Sequence, residues 1–415
     1  MWGIKDSRGL PYAVEGGIHW VRFGAFAWDA IEPVRTNPPS YKWEGVDEDS
    51  LRNASANGLE VIAILRFTPP WAQKYPGSSC GPIAEEALDE FAQFLTALVS
   101  RYSAPPFNVR YWELGNEPDV PVWYDPTVYG CWGDESDPYY GGGYYAEMLK
   151  RAYPAIKAAD PGAQVLIGGL LLDCDPTNPP PGKDCKPARF LEGILRNGGG
   201  PYFDIVSFHG YPPYAGSLSL QLDERFPSWD KRGGVVLGKI DFLREVMAAY
   251  GVDKQIIHTE GSLICPEMNE EVCNPPGPDF YEAQADYVAW LFVRNWAEGL
   301  LGTVWYTFEY PGWRYGSMLD ENQQPKPAWY ALDFLTEELH NGYYQAPVTQ
   351  YPTLQGYEFS VSGKRVWVLW APDEQPKTIS LPGEVTRVYD KYGNDITPAG
   401  GTLTIKSPVY VELTP

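Results

Sequence analysis

Two glutamates stand in short runs whose residue types could do acid–base chemistry. Glu117 lies in Trp112-Glu113-Leu114-Gly115-Asn116-Glu117-Pro118, and Glu260 lies in His258-Thr259-Glu260-Gly261. Two carboxylates that flank a bound glycosidic bond from opposite sides have the geometry of glycoside hydrolysis. An Asn-Glu-Pro run alone could be no more than a strand end entering a turn, so the pair matters more than either member. Other patterns carry less. Gly77-Ser78-Ser79-Cys80-Gly81 fits G-x-S-x-G, but no helix begins at once and Cys80 is expected in a disulfide, which argues against a serine-hydrolase elbow. His258-Thr259-Glu260 fits the deaminase H-x-E, but no P-C-x-x-C follows. The run Asp134-Glu135-Ser136-Asp137 could hold calcium and reads more simply as a solvated acidic loop. With four scattered histidines and no C-x-x-C, neither a metal nor another cofactor is expected.

The elements that must position these carboxylates recur along the chain. Runs rich in β-branched and aromatic residues fall at Trp2–Lys5 (eroded), His19–Gly24, Glu60–Arg66, Val109–Glu117, Gln164–Leu172, Asp204–Tyr211, Gln255–Gly261 and Gly302–Tyr310. Eight is the number that a closed (β/α)8 TIM barrel requires. Helical spacing fills Glu85–Tyr102, Gly143–Ala159, Lys239–Tyr250 and Tyr281–Glu298. Glu117 then closes the fourth strand and Glu260 the seventh, across the barrel mouth from one another. From about Gln345 the texture changes to short alternating runs, Tyr357–Val361, Arg365–Trp370, Thr386–Tyr389, Leu403–Ile405 and Val409–Leu413. The expected organisation is an α/β barrel over residues 1–343 and a small all-β, sandwich-like domain over 344–415, packed on the barrel because some 70 residues bury little core alone.

Composition narrows the partners. Lys plus Arg number 32 against 54 Asp plus Glu, and a net charge of −22 would repel a phosphate backbone, so nucleic acid is not expected. No apolar run is long enough to span a bilayer. The 16 Trp and 29 Tyr suit a cleft where flat sugar faces stack on indole and phenol, although a large core would use them too. Six cysteines allow fifteen pairings. Local loop staples are the economical choice, Cys174 with Cys185 and Cys265 with Cys273, which leaves Cys80 for Cys131. Disulfides imply a secreted or otherwise extracytoplasmic protein. The Met1-Trp2-Gly3 start has no signal-peptide character, so it reads as a mature form or as a protein not exported.

With these motifs in strand order, the sequence resembles the retaining glycoside hydrolases of clan A, and within them family 39, the β-xylosidase and α-L-iduronidase group. The resemblance covers about the first 340 residues and extends to the small β domain that such enzymes often carry. It implies Glu117 as acid/base, Glu260 as nucleophile and Asn116 as holder of the sugar 2-hydroxyl. It likewise implies Arg22 as a partner of the nucleophile, Trp28-Asp29-Ala30-Ile31-Glu32-Pro33 as the family's Trp-x-x-Ile-Glu-Pro segment, His209 and Tyr211 as the strand-six pair, and Trp305 as the floor of the cleaved subsite. One departure is Arg66-Phe67-Thr68-Pro69-Pro70-Trp71, where many members have a histidine.

Chemistry then sets the states required. Glu117 must be protonated to donate, and a partly buried carboxyl near a second carboxylate has its pKa raised. Glu260 must be ionised to attack, which Arg22 and the Tyr211 hydroxyl would favour. Glu113 shares the strand parity of Glu117 and is expected to pair with an arginine. His258 reads as a satisfied core histidine. Asp119 and Glu309 could touch substrate or face solvent. Trp71, Trp123 and Trp313 sit in loops after strands and could stack on sugar rings or merely pack those loops. The resulting expectation is a cofactor-free β-xylosidase-like enzyme acting on an oligosaccharide or polysaccharide. An endo-acting glycanase, a non-catalytic carbohydrate-binding barrel and a metal-dependent barrel hydrolase are the alternatives.

Overall fold

The computed structural model describes residues 10–218, 227–266 and 275–415. The expected first strand, Trp2–Lys5, and Cys273 lie outside the described residues. The described chain forms two units, one holding 19–210 with 227–261 and the other 10–18, 211–218, 262–266 and 275–415.

The first unit carries six parallel strands in sequence order: β1 (Trp20–Ala27), β2 (Glu60–Arg66), β3 (Tyr111–Asn116), β4 (Gln164–Gly169), β5 (Ile205–Gly210) and β6 (Gln255–Gly261). Helices Glu48–Ala56, Leu88–Tyr102, Gly142–Ala159, Phe190–Arg196 and Val235–Ala249 form the crossovers. The strands are buried along almost their whole length, as a parallel sheet covered by helices should be. Helix Leu88–Tyr102 shows the reason for its placement. Phe91, Phe94, Leu95, Leu98 and Val99 recur at three and four spacing and are all buried, while Asp89 and Glu90 sit in its first turn and Arg101 in its last. Asp47 caps helix Glu48–Ala56 by accepting from Ser50 N at 3.1 Å.

Two disulfides staple the loops that leave the strand ends, Cys80–Cys131 and Cys174–Cys185. Both pairings match the expectation, and Cys265 is disulfide-bonded as well. Among the described residues no helix is long and apolar enough to cross a membrane.

The second unit holds β7 (Thr303–Trp305), at the place expected for the last barrel strand, and helices Pro278–Ala297 and Pro327–Glu338. It also holds a five-stranded antiparallel sheet, built from β8 (Tyr343–Pro347), β9 (Gln355–Val361), β10 (Lys364–Trp370), β12 (Val385–Asp390) and β14 (Val409–Leu413) in the order β12-β14-β10-β9-β8. A separate antiparallel pair, β11 (Lys377–Ser380) with β13 (Thr402–Ile405), packs Ile379, Leu403 and Ile405 into the same apolar cluster as Trp367, Leu369 and Val411. The sequence pattern missed β8 and β11. β8 is exposed at four of its five positions, so no inward–outward alternation marks it.

Candidate active site

Arg22 on β1 organises the ends of three strands. It is fully buried, and its guanidinium donates from Nε to Glu113 Oε2 at 2.6 Å, from Nη1 to Glu260 Oε1 at 2.5 Å and from Nη2 to Asn116 Oδ1 at 2.7 Å. The planar fork directs separate N–H groups of three nitrogens at these three acceptors. Burial by itself would lower the guanidinium pKa, but the Glu113 and Glu260 carboxylates hold it above its ordinary value. Glu113, which also accepts from Ser207 Oγ at 2.8 Å, is raised by burial against the pull of Arg22. It is thus the arginine partner that its strand parity implied.

Asn116 and Glu117 are neighbours in sequence, yet both enter this cluster. A regular strand would send them to opposite faces. The break in alternation is visible in the backbone: Gly115 has φ +96° and Glu117 φ +53°, both left-handed. A second irregularity serves β5. Its register against β6 shifts between Phe208 and His209, which sets His209 opposite Glu260. His209 Nδ1 then lies 2.6 Å from Glu117 Oε1 and 3.5 Å from Glu260 Oε2. One ligand-type atom from each of Glu117, His209 and Glu260 lies within 4.8 Å of the others.

The electrostatics separate the two glutamates. Burial, then the charges of Glu260 and Asp119, push the Glu117 carboxyl well above the usual carboxylate range, so it holds its proton. Burial followed by Arg22, His258 and Lys239 lowers His209 well below 6.5, so its imidazole is neutral. Glu260 has the Arg22 guanidinium directly on one oxygen. The arrangement offers a proton donor and an arginine-paired carboxylate on facing strand ends.

The same three side chains could present ligands to a cation. Arg22 at 2.5 Å from Glu260 places a fixed positive charge beside that position and works against one.

A ring of buried polar contacts outside the cluster was not foreseen from sequence. Asp119 is buried and accepts from Leu171 N at 2.9 Å and Leu172 N at 2.8 Å, so it clamps the chain beyond β4 and neither faces solvent nor is free to bind substrate. Burial raises its carboxyl to about 6 against those two bonds. Lys239 is buried and donates to Leu171 O at 2.6 Å and His209 O at 2.9 Å, tying the ends of β4 and β5. Glu117 N bonds Gly169 O at 3.0 Å. A Cβ on Gly169 would lie 2.1 Å from His209 Nε2, so only glycine lets the imidazole reach Glu117. His258 stacks on Phe208 with ring centroids 4.6 Å apart and bonds the backbone of Glu260 and Gly210. Burial and Lys239 lower it to about 3, the state of a neutral core histidine.

The aromatic expectations divide. Trp28 is 1% exposed, packs on Phe91 and Phe94, and donates to Glu32 Oε2 at 2.8 Å. Trp71 packs edge-on to Trp28 and donates to Glu32 O at 3.0 Å. Trp305 is likewise 1% exposed and donates to Gly316 O at 2.7 Å. All three indoles are engaged in packing. Trp123, at 62% exposure, and Trp313, at 45%, meet solvent, the latter with the Arg314 guanidinium 4.9 Å from its ring centroid. Tyr211 lies 5.0 Å from the Trp313 ring, edge to face, and Glu309 is half-buried.

The fold defines the class first. It is shared with solved glycoside hydrolases, in accord with the resemblance to clan A and family 39 seen in the motifs. Among particular structures, a family 39 glycoside hydrolase from the gut symbiont Bacteroides cellulosilyticus WH2 matches with TM-score 0.71 and 17% identity, over 99% of this chain and 79% of that one. A family 30 subfamily 8 xylanase from Clostridium acetobutylicum matches with TM-score 0.61 and 12% identity, over 99% and 94%. A conserved exported protein from Bacteroides fragilis gives 0.65 and 15%, over 95% and 88%. The sequence matches no protein-family model and no curated protein sequence.

Proposed function

We propose that the protein is a secreted retaining glycoside hydrolase that cleaves β-linked sugars in the manner of a β-xylosidase. The observation that carries this is the geometry of the pair, a buried Glu117 beside an arginine-bound Glu260 with an oxygen of each within 4.8 Å of the other. That close spacing suits a double displacement, in which the second carboxylate attacks carbon directly, better than an inverting pair, which must leave room for a water. Glu117 protonates the departing oxygen while Glu260 attacks the anomeric carbon. Glu117, deprotonated by that first step, then activates the water that releases the sugar. Neutral His209 can exchange a hydrogen bond with Glu117 without competing for its charge state. Asn116 is assigned to the sugar 2-hydroxyl.

The remaining substrate contacts rest on the sequence resemblance and on exposure. Trp123 and Trp313 are assigned as stacking residues, Tyr211 and Glu309 as polar contacts, and Trp28, Trp71 and Trp305 as the further substrate-binding residues of the sequence reading. We read residues 1–343 as a closed (β/α)8 barrel and 344–415 as an appended β domain. The confinement of the five-stranded antiparallel sheet to residues 343–413 supports that division. Two disulfides and an exported structural neighbour support an extracellular location.

The test is hydrolysis of aryl β- and α-glycosides and of plant and microbial polysaccharides in the presence of a chelator. Turnover in chelator supports this reading; binding without turnover would favour a carbohydrate-binding barrel, and turnover only on long polymers an endo-acting glycanase. A pH profile adds a sharper expectation. Because the acid form of Glu117 is required and burial raises its pKa, kcat/KM falls as pH rises through a basic limb set well above 4.5. A basic limb at the ordinary glutamate value would remove Glu117 as the acid.

A further inference from the structure

The turn that carries Trp313 holds a backbone that its residues resist. Gly312, Arg314 and Tyr315 have φ +61°, +49° and +61°, and of the three only glycine takes that region without steric cost. Left-handed residues that bear a Cβ persist where their surroundings hold them there. Here the holding bonds are explicit. Cys265 N, in the chain after β6, donates to Arg314 O at 3.1 Å. Gln284, on helix Pro278–Ala297, donates from its one amide nitrogen to Leu263 O at 2.9 Å and to Tyr315 O at 3.0 Å. Gln284 is fully buried, on the stripe to which Phe280, Tyr287, Val288 and Leu291 contribute apolar side chains. An apolar residue would suit that stripe better, and Gln284 Oε1 meets no donor among the described residues. A buried amide with one end unsatisfied costs stability, so what Gln284 contributes is the tie between the two carbonyls.

That tie extends to the chain after β5. Ile264, next to Leu263, accepts from Tyr214 N at 2.7 Å and donates to Pro212 O at 3.2 Å. Pro212 and Pro213 restrict the backbone between these bonds and Tyr211, whose ring meets Trp313 edge to face at 5.0 Å. We propose that Gln284 is a positioning residue for Trp313: by gripping Leu263 O and Tyr315 O together it keeps the strained turn in register with the chain after β6 and holds the indole against Tyr211. The inference rests on the proposed glycosidase reading, in which Trp313 stacks on substrate, and adds the residue that fixes it. Gln284 acts through the ring and not on the reacting bond. Stacking that holds substrate and transition state alike is felt in KM, and a ring already held in place loses little entropy when it stacks.

The test measures kcat and KM on 4-nitrophenyl β-D-xyloside for the wild type, Gln284→Met, Gln284→Glu, Trp313→Ala and the double variant Gln284→Met with Trp313→Ala, each with a melting curve. Methionine suits the apolar stripe, and glutamate keeps the shape of the amide while removing its N–H groups. Both Gln284 variants should raise KM about fivefold or more with kcat within about twofold of wild type. The double variant should match Trp313→Ala within about twofold, because a residue that acts through a ring has nothing to act through once the ring is gone. Effects on KM that multiply in the double variant, a loss confined to kcat, or a wild-type KM in Gln284→Met or Trp313→Ala overturns the positioning role and leaves the glycosidase reading standing. Failure of both Gln284 variants to fold does the same, since Gln284 would then serve the core alone. A wild type inactive on this glycoside overturns the β-xylosidase reading, and the positioning role with it.

Discussion

Glu260→Ala should lose on the order of 10⁴–10⁶ in kcat on every glycoside the wild type turns over. The variant should still fold. Arg22 keeps Glu113 at 2.6 Å, so removing Glu260 leaves the buried guanidinium with one carboxylate, a neutral pair in place of a net negative trio. The same substitution should act on Glu117 from a distance. Glu260 is the largest influence after burial that raises the Glu117 pKa, so any residual activity should show a basic limb moved toward lower pH. Glu117→Ala should behave differently. Substrates with good leaving groups need little protonation, so the loss should be smallest there and should reach about 10²–10⁴ where protonation is required. Added azide should restore turnover of activated substrates, because a small anion can enter the space vacated by the carboxyl and needs no general base. Equal losses for the two variants across all leaving groups would show that the roles have been assigned wrongly.

Arg22→Met should cost about 3–5 kcal/mol of stability as well as activity, because it strands two buried carboxylates. Glu113, already raised by burial against the pull of Arg22, would lose that pull, and its protonated form would then be the cheaper state. The sign follows from linkage: acids whose folded-state pKa is raised lose stability as pH rises through that raised value. The deficit in Tm relative to wild type should therefore be larger near pH 8 than near pH 5. Arg22→Lys should recover part of the stability and little of the activity, since an ammonium on a flexible stem cannot reproduce three directed bonds to Glu113, Glu260 and Asn116. A variant as stable as wild type across this range would mean that the triad carries little of the energy assigned to it.

The parts of this site that sequence could reveal are those written in short runs. Asn116-Glu117-Pro118 and Thr259-Glu260-Gly261 mark strand ends, and Glu113 is an inward carboxylate as expected, although the alternation that suggested it breaks at Gly115 before Glu117. Arg22 and His209 became legible through the strand count, and seven of the eight expected strands are present, the other falling outside the described residues. The supporting ring was not legible, because its meaning is tertiary. Lys239 sits one helical turn into Val235–Ala249, where a lysine ordinarily reads as solvated; its burial depends on two carbonyls far away in sequence, His209 O on β5 and Leu171 O just beyond β4. The helix start was also missed: the helix begins at Val235, four residues before the expected boundary at Lys239 and directly after Gly233 and Gly234, both of positive φ. Asp119 looked like a loop carboxylate until the Leu171 and Leu172 amides were seen to converge on it. Tryptophans divided for a similar reason: type alone cannot tell Trp28, wedged between Phe91 and Phe94, from Trp123, which meets solvent. The bend at Glu117 could have been suspected from Gly115, the residue most tolerant of a left-handed backbone.

The central claim is that Glu260 forms a covalent bond to the sugar while Glu117 supplies and removes the proton. The most direct measurement is inactivation with 2-deoxy-2-fluoro-β-D-xylosyl fluoride, whose intermediate breaks down slowly, followed by peptide mass spectrometry and by NMR of the first-formed product from the natural sugar. The expected result is one fluorosugar on the peptide containing Glu260, none on Glu260→Ala, and a product that keeps the anomeric configuration of its substrate. A label on another residue, or a product of inverted configuration, would contradict the account.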